Sequence, residues 1–256
     1  MRFPWATLVL SLALVVPYFL ASSGAFYLSD DAVYGSAFSV YNAGGWLTHI
    51  FAHVGAFHLA GNLLPLVMFG VLLESVLLPL DVIALFLSCG LFASAVFALL
   101  NPGSYLVGAS AAIAGVMTAA LAVRPRSAIV LVLVTPLLIS AAAFPLVDSL
   151  VRGEQASFAS ESTEFAEQAR LLAEENRTAE AFAANASAYA AAEKEALVAG
   201  GRVREESTPT DFLVHFYGAA FAAVYLALFK KRELAEGAAE FHGAHEALAR
   251  LFRRAQ

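Results

Sequence analysis

The sequence predicts an all-α polytopic membrane protein with six transmembrane helices and an extra helical insertion. Hydrophobic residues make up 60% of its 256 residues and charged residues only 14%. An ordinary soluble domain is only about 45–50% apolar. The apolar residues also fall into runs close to the roughly 20 residues that a helix needs to cross a bilayer. Both observations indicate that the chain lies in a lipid membrane.

The predicted spans are separated by recognisable breaks. Asp81 predicts a helix start, residues 101–103 (Asn-Pro-Gly) predict a turn, and residues 124–126 (Arg-Pro-Arg) predict a polar stop. A cleaved signal peptide is the alternative for the first segment, because small residues at 21–25 follow its apolar run. The six spans are expected at about 5–21, 54–78, 82–100, 105–123, 127–147 and 211–229.

The positive charges near the span ends predict the orientation, because Lys and Arg are retained on the cytoplasmic side. The connection 22–45 contains Asp30 and Asp31 but no Lys or Arg, which places it outside. We therefore expect a multi-pass cell-membrane protein with both termini in the cytoplasm. The positive residues that agree with this orientation are Arg2, Arg124, Arg126, Lys230, Lys231 and Arg232.

The chain divides into four parts: residues 1–150 with spans one to five, an insertion at 151–210, the sixth span at 211–230, and a tail at 231–256. The insertion is rich in Ala and Glu, which favour helix. We expect one or two exposed helices there, ended by Gly200 and Gly201, outside the cell. It is either a substrate-recruiting module or a solvated acidic loop. Asn176 and Asn185 match the N-glycosylation pattern. The amphipathic tail is expected along the inner membrane surface.

Several polar side chains fall inside the predicted spans, where they are costly and usually functional. Spans two, four and six all begin on the outer side, and His58, Ser110 and His215 lie near those beginnings. We therefore expect these three at similar depth, within reach of outside water. The polar residues of these spans are His53, His58, Asn62, Glu74, Ser110, Thr118, Asp211 and His215.

These residue types match the needs of nucleophilic catalysis. A serine hydroxyl needs a base within hydrogen-bond reach, and histidine is the usual base near neutral pH. Ser110 is the candidate nucleophile and His215 the candidate base, as a dyad because no carboxylate is well placed to orient His215. Asn62, His58 and the Ser110 backbone N–H are candidate donors to an oxyanion. The alternative is that Ser110 only packs, with its hydroxyl bonded one turn back.

Small residues on the fourth and sixth spans favour a close approach of these helices, since such residues let membrane helices touch. They are Gly108, Ala111, Ala114 and Gly115 on one span, and Gly218 and Ala222 on the other.

Other site chemistries find little support in the sequence. The single cysteine, Cys89, lies in mid-span and reads as a small core residue without a thiolate cluster. A net charge of −6 argues against nucleic-acid binding. His49 and His53 have the spacing of a zinc protease motif, but Ile50 stands where that motif needs Glu. We therefore expect no metal, no other cofactor and no nucleic-acid partner.

At this point the residues resemble the rhomboid family of intramembrane serine proteases. The resemblance covers about 46–123 and 211–229, but neither the insertion nor the tail. The nucleophile motif corresponds to residues 108–110 (Gly-Ala-Ser), and the base motif to His215 followed by Gly218. The motif around the second span comprises Trp46, Thr48, His49, Phe51, His53, His58, Asn62, Leu66, Phe69, Gly70 and Glu74.

The resemblance implies a six-helix rhomboid-like bundle that cleaves a peptide bond in or beside the transmembrane helix of a substrate. It implies that Ser110 is the nucleophile, His215 the general base, and His58 and Asn62 the oxyanion donors. His53 and Glu74 match structural positions, with Glu74 holding the loop between the first two spans. The implied partners are transmembrane protein substrates and the lipid bilayer, and no metal takes part.

Three positions depart from the family pattern. Leu47 stands where Arg usually follows the Trp, Ala111 where Gly usually follows the Ser, and Ala114 where an aromatic residue often stacks on the base. Leu47 affects the anchoring of the loop, Ala111 affects the backbone after the nucleophile, and Ala114 affects the packing that holds His215 in place. With Ala114 in place of the aromatic residue, His215 is expected to be held less firmly, which would give low activity.

Two other functions fit part of the sequence. A catalytically weak or inactive rhomboid-like protein that binds membrane clients would keep this fold, although it typically lacks the Ser or the His. A small membrane transporter would also have intramembrane His and Asn residues. It would predict inverted repeats and polar residues spread through the bilayer depth, whereas here the polar residues cluster near one side.

Overall fold

The computed structural model describes residues 3–22, 26–207 and 212–254. Arg2, Asp211 and residues 23–25 of the signal-peptide alternative lie outside these ranges. The described residues form eleven α-helices joined by short connections, with no β-strand beyond isolated bridges. The helices are α1 (Trp5–Ala21), α2 (Asp30–Ser36), α3 (Gly45–Thr48), α4 (Ala56–Glu74), α5 (Pro79–Leu100), α6 (Ser110–Val123), α7 (Pro125–Leu138), α8 (Phe144–Glu174), α9 (Thr178–Ser207), α10 (Phe212–Phe229) and α11 (Lys231–Arg254).

Each predicted span coincides with an apolar helix. Helices α4, α5, α10 and the continuous helix formed by α7 and α8 are long and apolar enough to cross a membrane. Helices α1 and α6 are apolar but shorter, with 17 and 14 residues. The chain is thus an all-helical, multi-pass membrane protein, whereas the count of six crossings stays a prediction.

The breaks between helices follow the local signals of the sequence. Helix α5 begins at Pro79, and the Asp81 carboxylate accepts a hydrogen bond from the Leu78 N–H at 3.4 Å. Residues 101–103 form the predicted turn, and α6 ends at residue 123, immediately before the Arg-Pro-Arg stop. The predicted fourth span, however, began at 105, and the helix begins only at Ser110. Leu106 instead exchanges backbone hydrogen bonds with Phe38, which keeps this stretch extended.

Helix α6 is the centre of the bundle. It packs against α4, α5, α7, α10 and α11, and Val116, Ala119 and Ala120 are fully buried. Cys89 of α5 is also fully buried, against Gly115 of α6, as expected of a small core residue. Large apolar residues of α7 and α10, among them Leu133 and Phe216, are instead exposed, which is typical of helix faces that contact lipid.

The insertion forms two helices that pack on each other, α8 and α9. The first has no break from the fifth apolar segment: α7, a π-helical turn at Ile139–Ala143 and α8 form one helix of 50 residues. The boundary expected at 150 therefore lies inside a helix. The interior of this hairpin is small, as its sparse apolar residues suggest. Val151, Phe158 and Val198 are buried there, together with Tyr27 and Ala56.

The expected helix end at Gly200 and Gly201 is wrong, because α9 continues to Ser207. Gly201 is buried against the ring of Tyr27, and a Cβ at this position would lie 2.4 Å from the Tyr27 side chain. The glycine thus permits a close contact between α9 and the segment after α1. The glycine at this position is therefore explained by tertiary packing and not by a helix end.

The tail helix α11 packs on the corner between α6 and α7. A Cβ at Gly237 would lie 2.0 Å from the Ala122 carbonyl oxygen, so the two backbones touch. Glu240 accepts a hydrogen bond from the Arg126 N–H at 3.2 Å and pairs with Arg124 at 3.6 Å.

Candidate active site

The first turns of α4 carry two of the candidate site residues. His58 and Asn62 are four residues apart and share a face of this helix. Asn62 is only 5% exposed, and its amide nitrogen has no acceptor among the described residues. A buried amide donor without a partner costs about 1–3 kcal/mol, so such groups are rare in folded proteins. The Asn62 amide nitrogen is therefore a hydrogen-bond donor that none of the described residues uses.

The turn before α6 lies directly on these two side chains. Gly108 has φ +113°, a conformation that L side chains rarely adopt. A Cβ at Gly108 would lie 2.7 Å from the His58 ring and 3.7 Å from the Asn62 amide nitrogen. Glycine is needed here both for the backbone angle and for the space. Ser110, two residues later, is half-buried and begins α6.

Helices α6 and α10 touch at the level of Ser110. A Cβ at Gly218 would lie 2.1 Å from the carbonyl oxygen of Ala111, the residue after Ser110. Because His215 precedes Gly218 by three residues, it lies on the same side of α10, about one turn nearer the start of the helix. His215 and His58 are also close enough to interact electrostatically. Ser110, His215, His58 and Asn62, which are distant in sequence, thus gather at one end of the bundle.

His53 supports this group from the loop before α4. It is fully buried, and its ring packs edge-on against the His58 ring with 5.1 Å between centroids. Burial and the neighbouring His58 lower the pKa of His53 to about 3, so this ring is neutral at physiological pH. It can orient His58 by packing, but it supplies no charge.

Glu74 does not hold the loop between the first two spans, contrary to our expectation. It lies at the last residue of α4, whereas the loop lies at the other end of this helix. Its carboxylate accepts hydrogen bonds from the Ala6 N–H at 3.0 Å and from the Thr7 N–H and hydroxyl at 2.6 Å. These donors belong to the first turn of α1, where a helix leaves its N–H groups unpaired. Glu74 therefore fastens α1 to α4.

His49 has a structural role that the sequence did not reveal beyond its place in a motif. Its Nδ1 donates to the Gly45 carbonyl at 3.0 Å, and its Nε2 accepts from the Ser94 hydroxyl at 2.7 Å. Its own carbonyl accepts from the Gly108 N–H at 2.8 Å. His49 thus ties the loop before α4 to α5 and to the turn before Ser110. The signal in the sequence was its place in the motif around the second span.

The three residues that depart from the family pattern, Leu47, Ala111 and Ala114, lie in different environments. Leu47 is 53% exposed. Ala111 is buried, with its carbonyl oxygen at the contact with α10. Ala114 is half-buried, one turn after Ser110.

Comparison with known proteins bears on the family of the chain. No curated protein and no solved structure matches the chain. Residues 41–161, however, match the family model of the Rhomboid domain. The matched stretch contains His58, Asn62 and Ser110 and ends within α8, before His215. This match, which covers just under half of the chain, supports membership of the rhomboid family.

Proposed function

We propose that this chain is an intramembrane serine endopeptidase that hydrolyses a peptide bond in or next to the transmembrane helix of a substrate. The observation that carries the proposal is the Asn62 amide nitrogen, which is buried without an acceptor and faces the turn before Ser110. Hydrolysis of a peptide bond develops a negative oxygen that needs such a donor.

In the proposed mechanism, Ser110 attacks the carbonyl carbon of the scissile bond while His215 accepts the hydroxyl proton. The Asn62 amide, a His58 ring N–H and the Ser110 backbone N–H stabilise the oxyanion. His215 then donates the proton to the leaving amine. Water, activated by His215, hydrolyses the acyl-enzyme and restores Ser110.

The remaining parts of the proposal follow from the same arrangement. Substrates are transmembrane proteins within the bilayer, and the reaction needs neither a metal nor another cofactor. Both termini lie in the cytoplasm and the site opens to the outer side, as the positive charges near the span ends indicate. His53, Gly108 and Gly218 act structurally, through the contacts described above.

Cleavage of a single-span substrate by the purified chain in liposomes tests the proposal. Ser110→Ala and His215→Ala are expected to abolish cleavage. Asn62→Ala is expected to lower kcat by about 10²–10³-fold, the usual effect of losing an oxyanion donor. Ser88→Ala and His242→Ala are matched controls, since they lie in α5 and α11, away from the gathered residues. Both controls should cleave like the wild type.

A fluorophosphonate probe provides a second readout, because it labels an activated serine even when the substrate is wrong. Absence of cleavage over a panel of substrates, together with an unlabelled Ser110, would contradict the protease proposal. The chain would then be a rhomboid-like protein that binds membrane clients.

A further inference from the structure

A stripe of exposed apolar side chains runs along α9, the second helix of the insertion. Phe182, Tyr189, Ala196 and Val203 are all exposed, and each follows the previous one after seven residues. Phe182, Tyr189 and Val203 are 78%, 71% and 66% exposed. A seven-residue repeat keeps these side chains on one face of the helix. The exposed residues three positions further on complete what we call the α9 stripe: Asn185, Ala192 and Ala199.

The contacts of α9 within the chain use other faces of this helix. It packs on α8 through a face on which Ala184, Ala191 and Val198 are buried. A third face meets the segment after α1, where Gly201 lies against the Tyr27 ring. The α9 stripe is therefore left uncovered by the part of the chain that the structure describes.

The bilayer does not reach most of the stripe. Helix α7, the π-helical turn and α8 form one helix of 50 residues. Roughly 20 residues of a helix cross a bilayer, so about 30 residues project from it. At 1.5 Å per residue they extend about 45 Å from the membrane. Since α9 returns along α8, Phe182 and Tyr189 lie far from the lipid. A partner that covers the whole stripe therefore runs along the hairpin, as another helix does.

A second copy of the chain presents such a helix in the required direction. Two copies in one membrane have the same orientation, so a twofold axis between them is parallel to the membrane normal. Two α9 helices that meet at this axis run parallel, and each residue of the stripe meets the same residue of the partner at the same height. A stripe with a seven-residue repeat thus matches itself in register, as in a parallel two-stranded coiled coil.

The size of the stripe is sufficient for a specific pair. Aromatic side chains bury about 150 Å² each, and two copies contribute four of them, from Phe182 and Tyr189. With the alanines and Val203, the pair buries roughly 1,000 Å² in total, which is the lower limit for a biological interface. Asn185 is the one polar residue of the stripe, and a single polar residue in such a seam fixes the register.

The charges beside the stripe are compatible with this pairing. Glu193 and Glu195 lie on opposite sides of it. In a parallel pair, heptad geometry places them beside the partner's Ala188 and the partner's Gly200. The carboxylates of one copy therefore do not face those of the other.

We propose that the insertion pairs two copies of this chain through a parallel two-stranded coiled coil of their α9 helices, along the α9 stripe. The proposal is independent of the protease function, because it requires only that both copies lie in one membrane. A glycan on Asn185 would exclude a partner helix, so the pair requires this asparagine to be unmodified.

Disulfide cross-linking of the full chain in liposomes tests the contact. Ala192→Cys places a thiol in the stripe, opposite the same thiol of the partner. Ala190→Cys is the matched control, because Ala190 is an exposed alanine about 160° away around the same helix. With copper phenanthroline as the oxidant, we expect a covalent dimer of Ala192→Cys on non-reducing gels. Ala190→Cys and the wild type, whose Cys89 is fully buried, should stay monomeric.

Förster transfer between copies labelled at the N-terminus measures the dimer Kd in liposomes. Tyr189→Glu should weaken the dimer at least about 10-fold, because two carboxylates would be buried against each other without a partner. Tyr189 is exposed in the single chain, so the variant should keep its fold, which thermal denaturation checks. Ala190→Glu is the matched control and should pair like the wild type.

Several outcomes would overturn the proposal. They are a wild-type chain that stays monomeric, equal cross-linking at positions 190 and 192, a dimer that Tyr189→Glu leaves intact, and a glycan on Asn185. If the chain is monomeric and Tyr189→Glu abolishes binding of a single-span protein, the stripe belongs to a helix of that protein instead. The protease proposal is decided separately, by cleavage and by labelling of Ser110.

Discussion

At the scale of single residues, Gly108 is the position where the backbone conformation and the site depend on each other most directly. Its φ of +113° is one that L side chains rarely adopt, and the missing Cβ leaves room for the His58 ring. Its N–H is also held by the His49 carbonyl. Three constraints from different elements therefore fix the turn that carries Ser110 into α6.

Gly108→Ala is expected to destabilise the chain by about 2 kcal/mol, the usual cost of forcing a side chain into a sparsely populated backbone region. It should also displace the His58 ring and lower cleavage at least 10-fold. Denaturation in detergent and kcat/KM measure the two effects. Gly103→Ala is the matched control, because nothing lies within 4 Å of a Cβ there. Equal behaviour of the two variants would contradict the role given to Gly108.

At the scale of elements, the Glu74 carboxylate accepts hydrogen bonds from N–H groups in the first turn of α1, which have no acceptor within their own helix. The carboxylate is 5% exposed and accepts from two backbone N–H groups and one hydroxyl. Hydrogen bonds to a charged group contribute more than neutral ones, and a buried donor left unpaired costs free energy. Glu74 therefore adds a polar anchor to the apolar packing of α1 on α4.

Glu74→Ala is expected to lower the free energy of unfolding by about 3 kcal/mol, since it leaves these buried donors without an acceptor. Hydrogen exchange should increase first in the initial turn of α1. Glu164→Ala, at an exposed position of α8, is the control and should change neither quantity measurably. A stable Glu74→Ala variant with a protected α1 would show that other contacts hold this helix.

The last turn of α9 is docked on the start of α4 through Glu205. Burial raises the pKa of the Glu205 carboxyl above the ordinary range of glutamate, although hydrogen bonds from His58, Tyr27 and Phe57 oppose the shift. The docked carboxyl thus holds its proton more tightly than the undocked one. Docking is therefore strongest below the ordinary pKa of glutamate, and it weakens as the pH rises through the raised value.

We expect the amide protection of residues 201–205, corrected for intrinsic exchange rates, to fall with rising pH across this window and then to level off. Glu205→Gln should remove the dependence, because its amide does not titrate. Glu193→Gln, at an exposed position of the same helix, should retain it. Protection that rises with pH in the wild type would contradict this prediction, because a buried carboxyl with a raised pKa predicts a fall.

At the scale of the whole molecule, the orientation in the membrane decides which side supplies substrates and water. The native Cys89 is fully buried in α5, so the wild-type chain should react little with thiol reagents. Single cysteines introduced at exposed positions can therefore report the side. Asn176 lies in the turn between α8 and α9, and Gly243 lies in α11.

Asn176→Cys is expected to react with a membrane-impermeant maleimide on intact cells, and Gly243→Cys only after permeabilisation. Labelling on gels measures both, and the wild type is the control for background. The opposite pattern would place the gathered residues on the cytoplasmic side and contradict the proposed localisation.

The sequence alone determined the class of protein and the positions of most helices. A run of about 20 apolar residues has few alternatives to a membrane helix, because lipid offers the backbone no other hydrogen-bond partner. The period of the helix then places His58 and Asn62 on one face. Proline, Asp81 and the Arg-Pro-Arg stop marked helix ends for local steric and hydrogen-bonding reasons.

Only the tertiary structure decided how these helices pack and which side chains connect them. Glu74 binds α1 instead of the predicted loop, and Gly201 packs on Tyr27 instead of ending α9. Glu205 meets the His58 N–H across 147 positions of the chain. Local patterns carry no information about such contacts, because they arise from helix packing and from the need of buried polar groups for partners. The same physics brings Gly108 onto His58 and Gly218 onto Ala111, which a list of small residues permits but does not specify.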